Sequence, residues 1–261
     1  MITLIGGLVL TACSGAAPKA PKDGSLETIK KAGKIVIGLD DSFPPMGFRD
    51  ENNEIVGFDI DMAKEAAKRI GVEPVFQPID WNSKELELQG KKIDLIWNGL
   101  TITEERKKQM AFTEPYLENR QIIVVKAGSD IKTKKDLAGK VVGLQEGSSS
   151  LQALEKDEET LNSLKEEPRQ YSNNNEALLD LSIGRIDAVV VDEVVGRYYI
   201  SKKPGEYEIL EEHFGSEEYG VGLRLEDKAL LNELQRILNE MKKDGTSAKI
   251  SQKWFGEDVV K

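Results

Sequence analysis

The chain has 261 residues, of which 39% are hydrophobic and 31% charged, a balance that fits a soluble globular protein and neither a disordered nor a membrane-spanning one. That length holds one large domain or two smaller ones. A formal net charge of −10 argues against a nucleic-acid binder, and one cysteine with one histidine excludes an internal disulfide and a zinc site built on several Cys and His.

Ile2 to Leu10 is an apolar run too short to span a bilayer and of the length of a signal-peptide core. It leads into Leu10-Thr11-Ala12-Cys13-Ser14-Gly15, and Leu-Thr-Ala-Cys resembles a bacterial lipobox. The resemblance implies that residues 1–13 carry a signal peptide, that Cys13 is lipidated, and that the protein works outside the cytoplasm, touching the membrane only through its acyl chains. No Lys or Arg precedes the apolar run, which departs from the usual leader, and an N-terminal strand with a buried cysteine is the alternative. Residues 14–25, rich in Gly, Ala, Pro and Lys, read as a flexible tether.

Strand and helix patterns then alternate. Lys34–Leu39 is a β-branched run ending at Asp40-Asp41, and Phe58–Ile70 has the apolar spacing of an amphipathic helix that Gly71 can close. Val75–Ile79 and Ile93–Trp97 read as strands, with a helical segment over Ser83–Gly90 between them, and Gln121–Val125 as a further strand. A second series follows: the strand Lys140–Gln145, a helix starting near Ser148 to Ser150, the helix Asn175–Ile183, the buried strand Ala188–Val191, and a helix over Val194–Ile200. Tyr219–Leu223 reads as a return strand, Leu230–Met241 as a long amphipathic helix, and Trp254-Phe255 as an apolar anchor. Interleaved strands and helices predict an α/β protein with mostly parallel sheets covered on both faces. No phosphate-loop signature is present, so ATP hydrolysis by this chain is not expected.

Ligands of open parallel sheets sit beyond the carboxyl ends of the strands. Those ends carry Asp40, Asp41 and Phe43, then Asp80 and Trp81, then Asn98 to Arg106, Gly147 to Ser150, and Asp192. Asn98-Gly99-Leu100-Thr101-Ile102-Thr103-Glu104-Glu105-Arg106 joins free backbone donors, a hydroxyl and a guanidinium where a strand gives way to a helix, a combination that suits a small anion. The alternative is an ordinary turn with Thr103 as N-cap and Arg106 solvated. The whole set of strand ends could hold a zwitterion, with guanidinium to carboxylate, aspartate to ammonium, and aromatic faces around the middle. His213 has no nucleophile motif beside it and reads as structural or solvated.

Six stretches resemble one family. They are Ile37–Phe48, Val56–Met62, Gly99–Arg106, Phe112–Tyr116, Gly184–Ala188 and Lys253–Gly256, in the family's order across nearly everything from residue 26 onward. On these the chain resembles the polar-amino-acid-binding proteins of bacterial ABC importers, within the type II periplasmic binding fold. The resemblance implies two Rossmann-like α/β lobes joined by a two-strand hinge, lobe one being 26–119 and 220–261 and lobe two 120–219, with crossings near Glu118–Ile122 and Gly215–Gly220.

It further implies that Arg106 clamps a ligand α-carboxylate with help from Thr101 and from Ser148 or Ser149, and that Asp192 receives the α-ammonium with the Gly99 carbonyl. Phe43 and Trp81 would flank the ligand side chain, Asp40 would meet a cationic one, and Asn98 stands where relatives often carry serine. The partners implied are an amino acid and a membrane permease, the protein itself being a monomer without cofactor. Read without the resemblance, Asp192 could be a helix N-cap, Phe43 and Trp81 core aromatics, and Gly147 to Ser150 a loop and cap. The competing function is a dehydratase of a cyclohexadienyl amino acid on the same fold. That would need an acid–base pair in the cleft, where neither lysine nor histidine is expected.

Overall fold

The structure, a computed structural model, describes residues 23–261. The expected signal peptide, Cys13 and most of the tether lie outside the described residues. Ser25, assigned to the tether from sequence, instead opens helix α1 (Ser25–Ala32), because the Asp23 carboxylate accepts from both its backbone N–H and its hydroxyl.

The first lobe continues with β1 (Lys34–Leu39), a small three-stranded sheet of β2 (Ser42–Phe43), β3 (Gly47–Arg49) and β4 (Ile55–Val56), and helix α2 (Phe58–Ile70). Next come β5 (Glu73–Pro78), α3 (Lys84–Gln89), β6 (Leu95–Ile96) and β7 (Met110–Phe112). Strand β8 (Leu117–Lys126) crosses into the second lobe, which contains β9 (Val142–Gln145), α4 (Ser149–Glu155), α5 (Glu158–Ser163), β10 (Arg169–Tyr171), α6 (Asn174–Ser182), β11 (Ala188–Asp192) and α7 (Glu193–Lys202). The long strand β12 (Tyr207–Tyr219) returns, and β13 (Gly222–Arg224), α8 (Lys228–Lys243) and α9 (Thr246–Phe255) complete the first lobe.

Each lobe has a five-stranded sheet, in the orders β5-β1-β6-β13-β7 and β10-β9-β11-β8-β12. In each, four strands share one direction and one opposes them: β13 in the first, β8 in the second. The odd strand has a mechanical cause. Strands β1, β6, β9 and β11 end at the cleft, so a strand that enters a lobe from the cleft must run away from it. Both β8 and β13 immediately follow a crossing and are therefore antiparallel to their neighbours. The two crossings pair with each other, Glu218 opposite Glu118 and Tyr219 opposite Leu117.

Burial follows the periodicities. Strand β11 is buried along its whole length, as a strand covered on both faces must be. Helix α2 spans the residues predicted and buries Phe58, Ile60, Met62, Ala63, Ala66, Ala67 and Ile70. Helix α8 lies against α1, α2 and α9 through Leu230, Leu234, Ile237, Leu238 and Met241, a 3.6-residue stripe.

Several strand bounds change: Lys140–Gln145 shortens to Val142–Gln145, Val75–Ile79 moves to Glu73–Pro78, and Gln121–Val125 lengthens to Leu117–Lys126. Ile93–Trp97 contracts to Leu95–Ile96, flanked by single bonds from Asp94 N–H to Val36 and from Trp97 N–H to Gly38. Tyr219–Leu223 divides, since Tyr219 ends β12 while Gly220 donates to the Leu100 carbonyl before β13 begins.

Leu234 on α8 is fully enclosed, so Leu234→Ala should cost about 2–5 kcal/mol of unfolding free energy, as measured by urea denaturation. A loss below about 1 kcal/mol would show that this face of α8 is not packed as described.

Candidate functional site

The crossing strands form the floor of the cleft. Side chains two apart on a strand share a face, so Asn119 and Gln121 of β8 stand beside Glu217 and Tyr219 of β12, with Asn119 directly opposite Glu217. Glu217 Oε1 accepts from Asn119 Nδ2 at 2.7 Å, from Gln121 Nε2 at 2.8 Å and from the Thr101 hydroxyl at 2.9 Å.

The first lobe contributes the loop 98–106. An isolated bridge to Tyr219 fixes Thr101, while Ile102 N–H donates to Glu218. Gly99 has φ +53°, and a Cβ there would stand 2.7 Å from Phe43 Cε1, so the turn demands glycine. Its N–H donates at 2.7 Å to Asp59 Oδ2, which also accepts from the Tyr116 hydroxyl at 2.9 Å. Burial pushes the Asp59 carboxyl up to about 7.

Arg106 opens a single 3₁₀ turn whose N-cap is Glu105, and the Thr103 hydroxyl accepts from Arg106 N–H. The ordinary-turn alternative, with Arg106 solvated, fails because Arg106 is 6% exposed. Its guanidinium donates to the Thr101 carbonyl at 2.8 Å and, across the cleft, to the Gly147 carbonyl at 3.0 Å.

Asp40, at the end of β1, is buried. Its Oδ1 accepts from the Ser42 N–H and hydroxyl, and its Oδ2 from Gln145 Nε2 of the other lobe at 2.7 Å. Burial raises its carboxyl above the ordinary value. Asn98 serves the loop: its Oδ1 accepts from Asp40 N–H, tying the end of β1 to that of β6. Phe43 packs in the main core of the first lobe, while Trp81 packs with Leu88, Ile93, Ile96, Leu100 and Met110. Both aromatics therefore sit in core clusters at the cleft wall.

In the second lobe, Ser148 and Ser149 separate. Ser148 caps α4, accepting from Ser150 N–H and donating to the Gln145 carbonyl, so its hydroxyl is used locally and does not face the first lobe as expected. Ser149 faces across the cleft, 2.9 Å from the Thr101 hydroxyl. Asp192 precedes α7 but makes no side-chain cap bond. Its Oδ1 accepts from Asn119 Nδ2 at 2.7 Å and from the Tyr219 hydroxyl at 2.6 Å. Burial, and then the neighbouring Glu217 carboxylate, hold the Asp192 carboxyl well above the usual range.

The lobes thus meet across the cleft through Asp40–Gln145, Thr101–Ser149 and the Gly147 carbonyl. Lys84 also donates to that carbonyl at 2.8 Å, and to the Trp81 carbonyl at 3.1 Å, while pairing with Glu85. A lysine is therefore present at the cleft, contrary to the sequence expectation. Burial and the Arg106 charge lower its ammonium to about 8, and its bonds to the Trp81 and Gly147 carbonyls and to Glu85 tie the two lobes together. Beside these contacts a groove of about 970 Å³ is lined by Thr101, Gln121, Ser149 and Glu217, among others.

Buried groups of both charges, contributed by two lobes and the strands joining them, make this a site for a small polar solute rather than a macromolecule. Residues 35–257 match the family described as bacterial extracellular solute-binding proteins, family 3. The chain belongs to that family. It is 33% identical to the L-cystine-binding protein TcyJ of Escherichia coli (strain K12) over 261 residues, covering 99% of this chain and 96% of the relative. It is likewise 33% identical to the ABC transporter arginine-binding protein 1 of the same strain, covering 86% and 91%. Among solved structures, a substrate-binding protein of an ABC uptake transporter from Streptococcus pneumoniae with bound histidine superposes with a TM-score of 0.88 at 39% identity, covering 92% of this chain and 98% of that one. This family-3 solute-binding protein is a transport component, not an enzyme, and has the two-lobed type II periplasmic binding fold expected from sequence.

Sequence reasoning missed Gln145, Lys84, Glu217 and the Asp59–Tyr116 support of Gly99. Gln145 ends β9 and falls under the same strand-end rule that picked out Asp40. Lys84 and Glu217 resemble surface charges in sequence, and only the fold encloses them.

Asp59 links the site to stability. Its folded value is raised, so its contribution is full below about pH 4, where the unfolded group is also protonated, and is lost as pH rises toward about 7. The loss should be on the order of 4 kcal/mol. Asp59→Asn should flatten that part of the stability profile, measured by urea unfolding across the window; parallel profiles would mean that Asp59 is ionised in the native protein.

Proposed function

We propose that this family-3 solute-binding protein captures a polar, preferentially cationic L-amino acid between its lobes and delivers it to the permease of an ABC importer. The observation that carries this reading is the placing of buried Arg106, with the Thr101 and Ser149 hydroxyls, in the same cleft as buried Asp192. Arg106 has donors left for an α-carboxylate beyond its two carbonyl bonds, and Asp192 offers an acceptor to an α-ammonium. The Gly99 carbonyl would share the ammonium, and Phe43 and Trp81 would flank the ligand side chain. Asp40 would meet a cationic group at its end, exchanging Gln145 for the ligand.

The Leu-Thr-Ala-Cys motif supports a lipid anchor at Cys13, holding a monomeric protein at the outer face of the membrane. No helix among the described residues is long and apolar enough to cross a membrane. The proposed lobes are 26–119 with 220–261, and 120–219, the crossings being counted with the latter.

Removing one partner of a buried charged contact typically costs about 3–5 kcal/mol. Arg106→Ala should accordingly weaken the binding of any α-amino acid by roughly 100-fold or more in titration calorimetry. Unchanged affinity with the fold intact would remove the carboxylate assignment. Asp192→Asn should penalise amino acids more than analogues without the α-ammonium, and equal losses would count against its role. For selectivity, arginine and lysine should bind better than glutamine, and Asp40→Asn should abolish that order; an unaltered order would acquit Asp40.

A further inference from the structure

The floor of the cleft holds a second acid beside Asp192. One amide, Asn119 Nδ2, donates at 2.7 Å to Asp192 Oδ1 and at 2.7 Å to Glu217 Oε1, so the two carboxylates stand within two hydrogen-bond lengths of each other. The groups facing them come from every surrounding element. Strand β8 supplies Asn119 and Gln121, and β12 supplies Tyr219, whose ring lies against Tyr116. The 98–106 loop supplies Thr101, and α4 supplies Ser149, bonded to Thr101 and Gln121. The facing cation is Arg106, whose named bonds go to two carbonyl oxygens and to neither carboxylate. A buried carboxylate so close to a second does not ionise cheaply, and burial together with the Glu217 charge raises Asp192 accordingly. An ammonium placed between them would remove that penalty.

We propose that Asp192 and Glu217 act as one proton-sharing pair, that a ligand ammonium displaces the shared proton into solvent, and that Glu217 thereby tilts the cleft toward amino acids of net positive charge. The proposal rests on the amino-acid reading above. With the pair fully ionised, Asp40, Asp192, Glu217 and the Lys84-paired Glu85 outnumber Arg106 and Lys84, an excess of negative charge that a cationic amino acid reduces and a neutral zwitterion does not. With the pair holding a proton that excess is one charge smaller, and the preference weakens.

The test is titration calorimetry of the full chain with arginine and with glutamine, in two buffers of different ionisation enthalpy, for wild type and Glu217→Gln. At about pH 6 the ligand ammonium is already protonated, so any released proton comes from the protein. Wild type should release about half a proton or more per arginine bound, and its arginine affinity should rise roughly tenfold between about pH 5.5 and pH 7. Glu217→Gln should still bind both ligands, release fewer protons than wild type because burial alone still raises Asp192, and lose roughly tenfold of the arginine-over-glutamine ratio. The same proton count and ratio in both proteins would overturn the proposal. Should the variant fail to fold, the wild-type count decides alone, zero release being fatal. Absence of amino-acid binding by wild type would sink the underlying reading, an outcome distinct from binding without proton release.

Discussion

The site depends on a backbone constraint. Two strands cross between lobes, and their N–H and C=O groups must be paired where they pass beneath the cleft. They pair with each other, β8 against β12, and that ladder sets which residues face upward. Because side chains alternate, Asn119, Gln121, Glu217 and Tyr219 follow as a set, and a slip of one residue would turn all of them away. Thr101 joins the ladder through its bridge to Tyr219, so the first lobe's hydroxyl shares the register of the second lobe's acids.

Around this floor Arg106, Asp192 and Asp40 are each held by neutral donors or acceptors. Arg106 is bound by carbonyls, Asp192 by an amide and a phenol, and Asp40 by a hydroxyl, a backbone N–H and the Gln145 amide. Satisfied in this way, the charges are buried without neutralising one another, which preserves their capacity to meet an oppositely charged ligand. Direct ion pairs inside the cleft would spend that capacity.

Much of the fold was legible in the chain. Helix α2 and the apolar stripe of α8 show the helical period plainly, and the valine run of β11 announces a strand covered on both faces. The small β2–β3–β4 sheet was not legible, because strands of two or three residues carry no period. Strand β12 was hidden by its glutamates, which read as loop but occupy exposed or floor-facing positions of a crossing strand. At the site, the strand-end rule located Asp40, Thr101, Arg106, Ser149 and Asp192. It could not separate Ser148, a helix cap, from Ser149 one residue on, since that difference lies in how α4 begins. Nor could it find Lys84 or Glu217, whose burial is created by the opposite lobe and by the crossing strands respectively.

The interlobe contacts fall into two sets with different consequences for closure. Thr101–Ser149 and Asp40–Gln145 lie where the proposed ligand would place its carboxylate and its side chain, so binding exchanges them for ligand contacts. Lys84 and Arg106 on the Gly147 carbonyl, Asn82 on Glu146, and Gln152 on Glu105 are rim contacts between protein groups alone. Gly147 can serve there because its φ is +69° and a Cβ would stand 2.9 Å from Asn82 Cα, so the two backbones approach more closely than any other residue permits. A ligand shifts an equilibrium only by its differential affinity for the two states. Rim contacts stabilise the closed arrangement whatever the ligand, whereas the exchanged contacts are the ones through which the identity of the ligand can be felt. On the proposed reading, affinity is shared between the rim and the exchanged contacts, while selectivity falls to the groups around Asp40 at the end of β1 and around the Asp192–Glu217 pair on the floor.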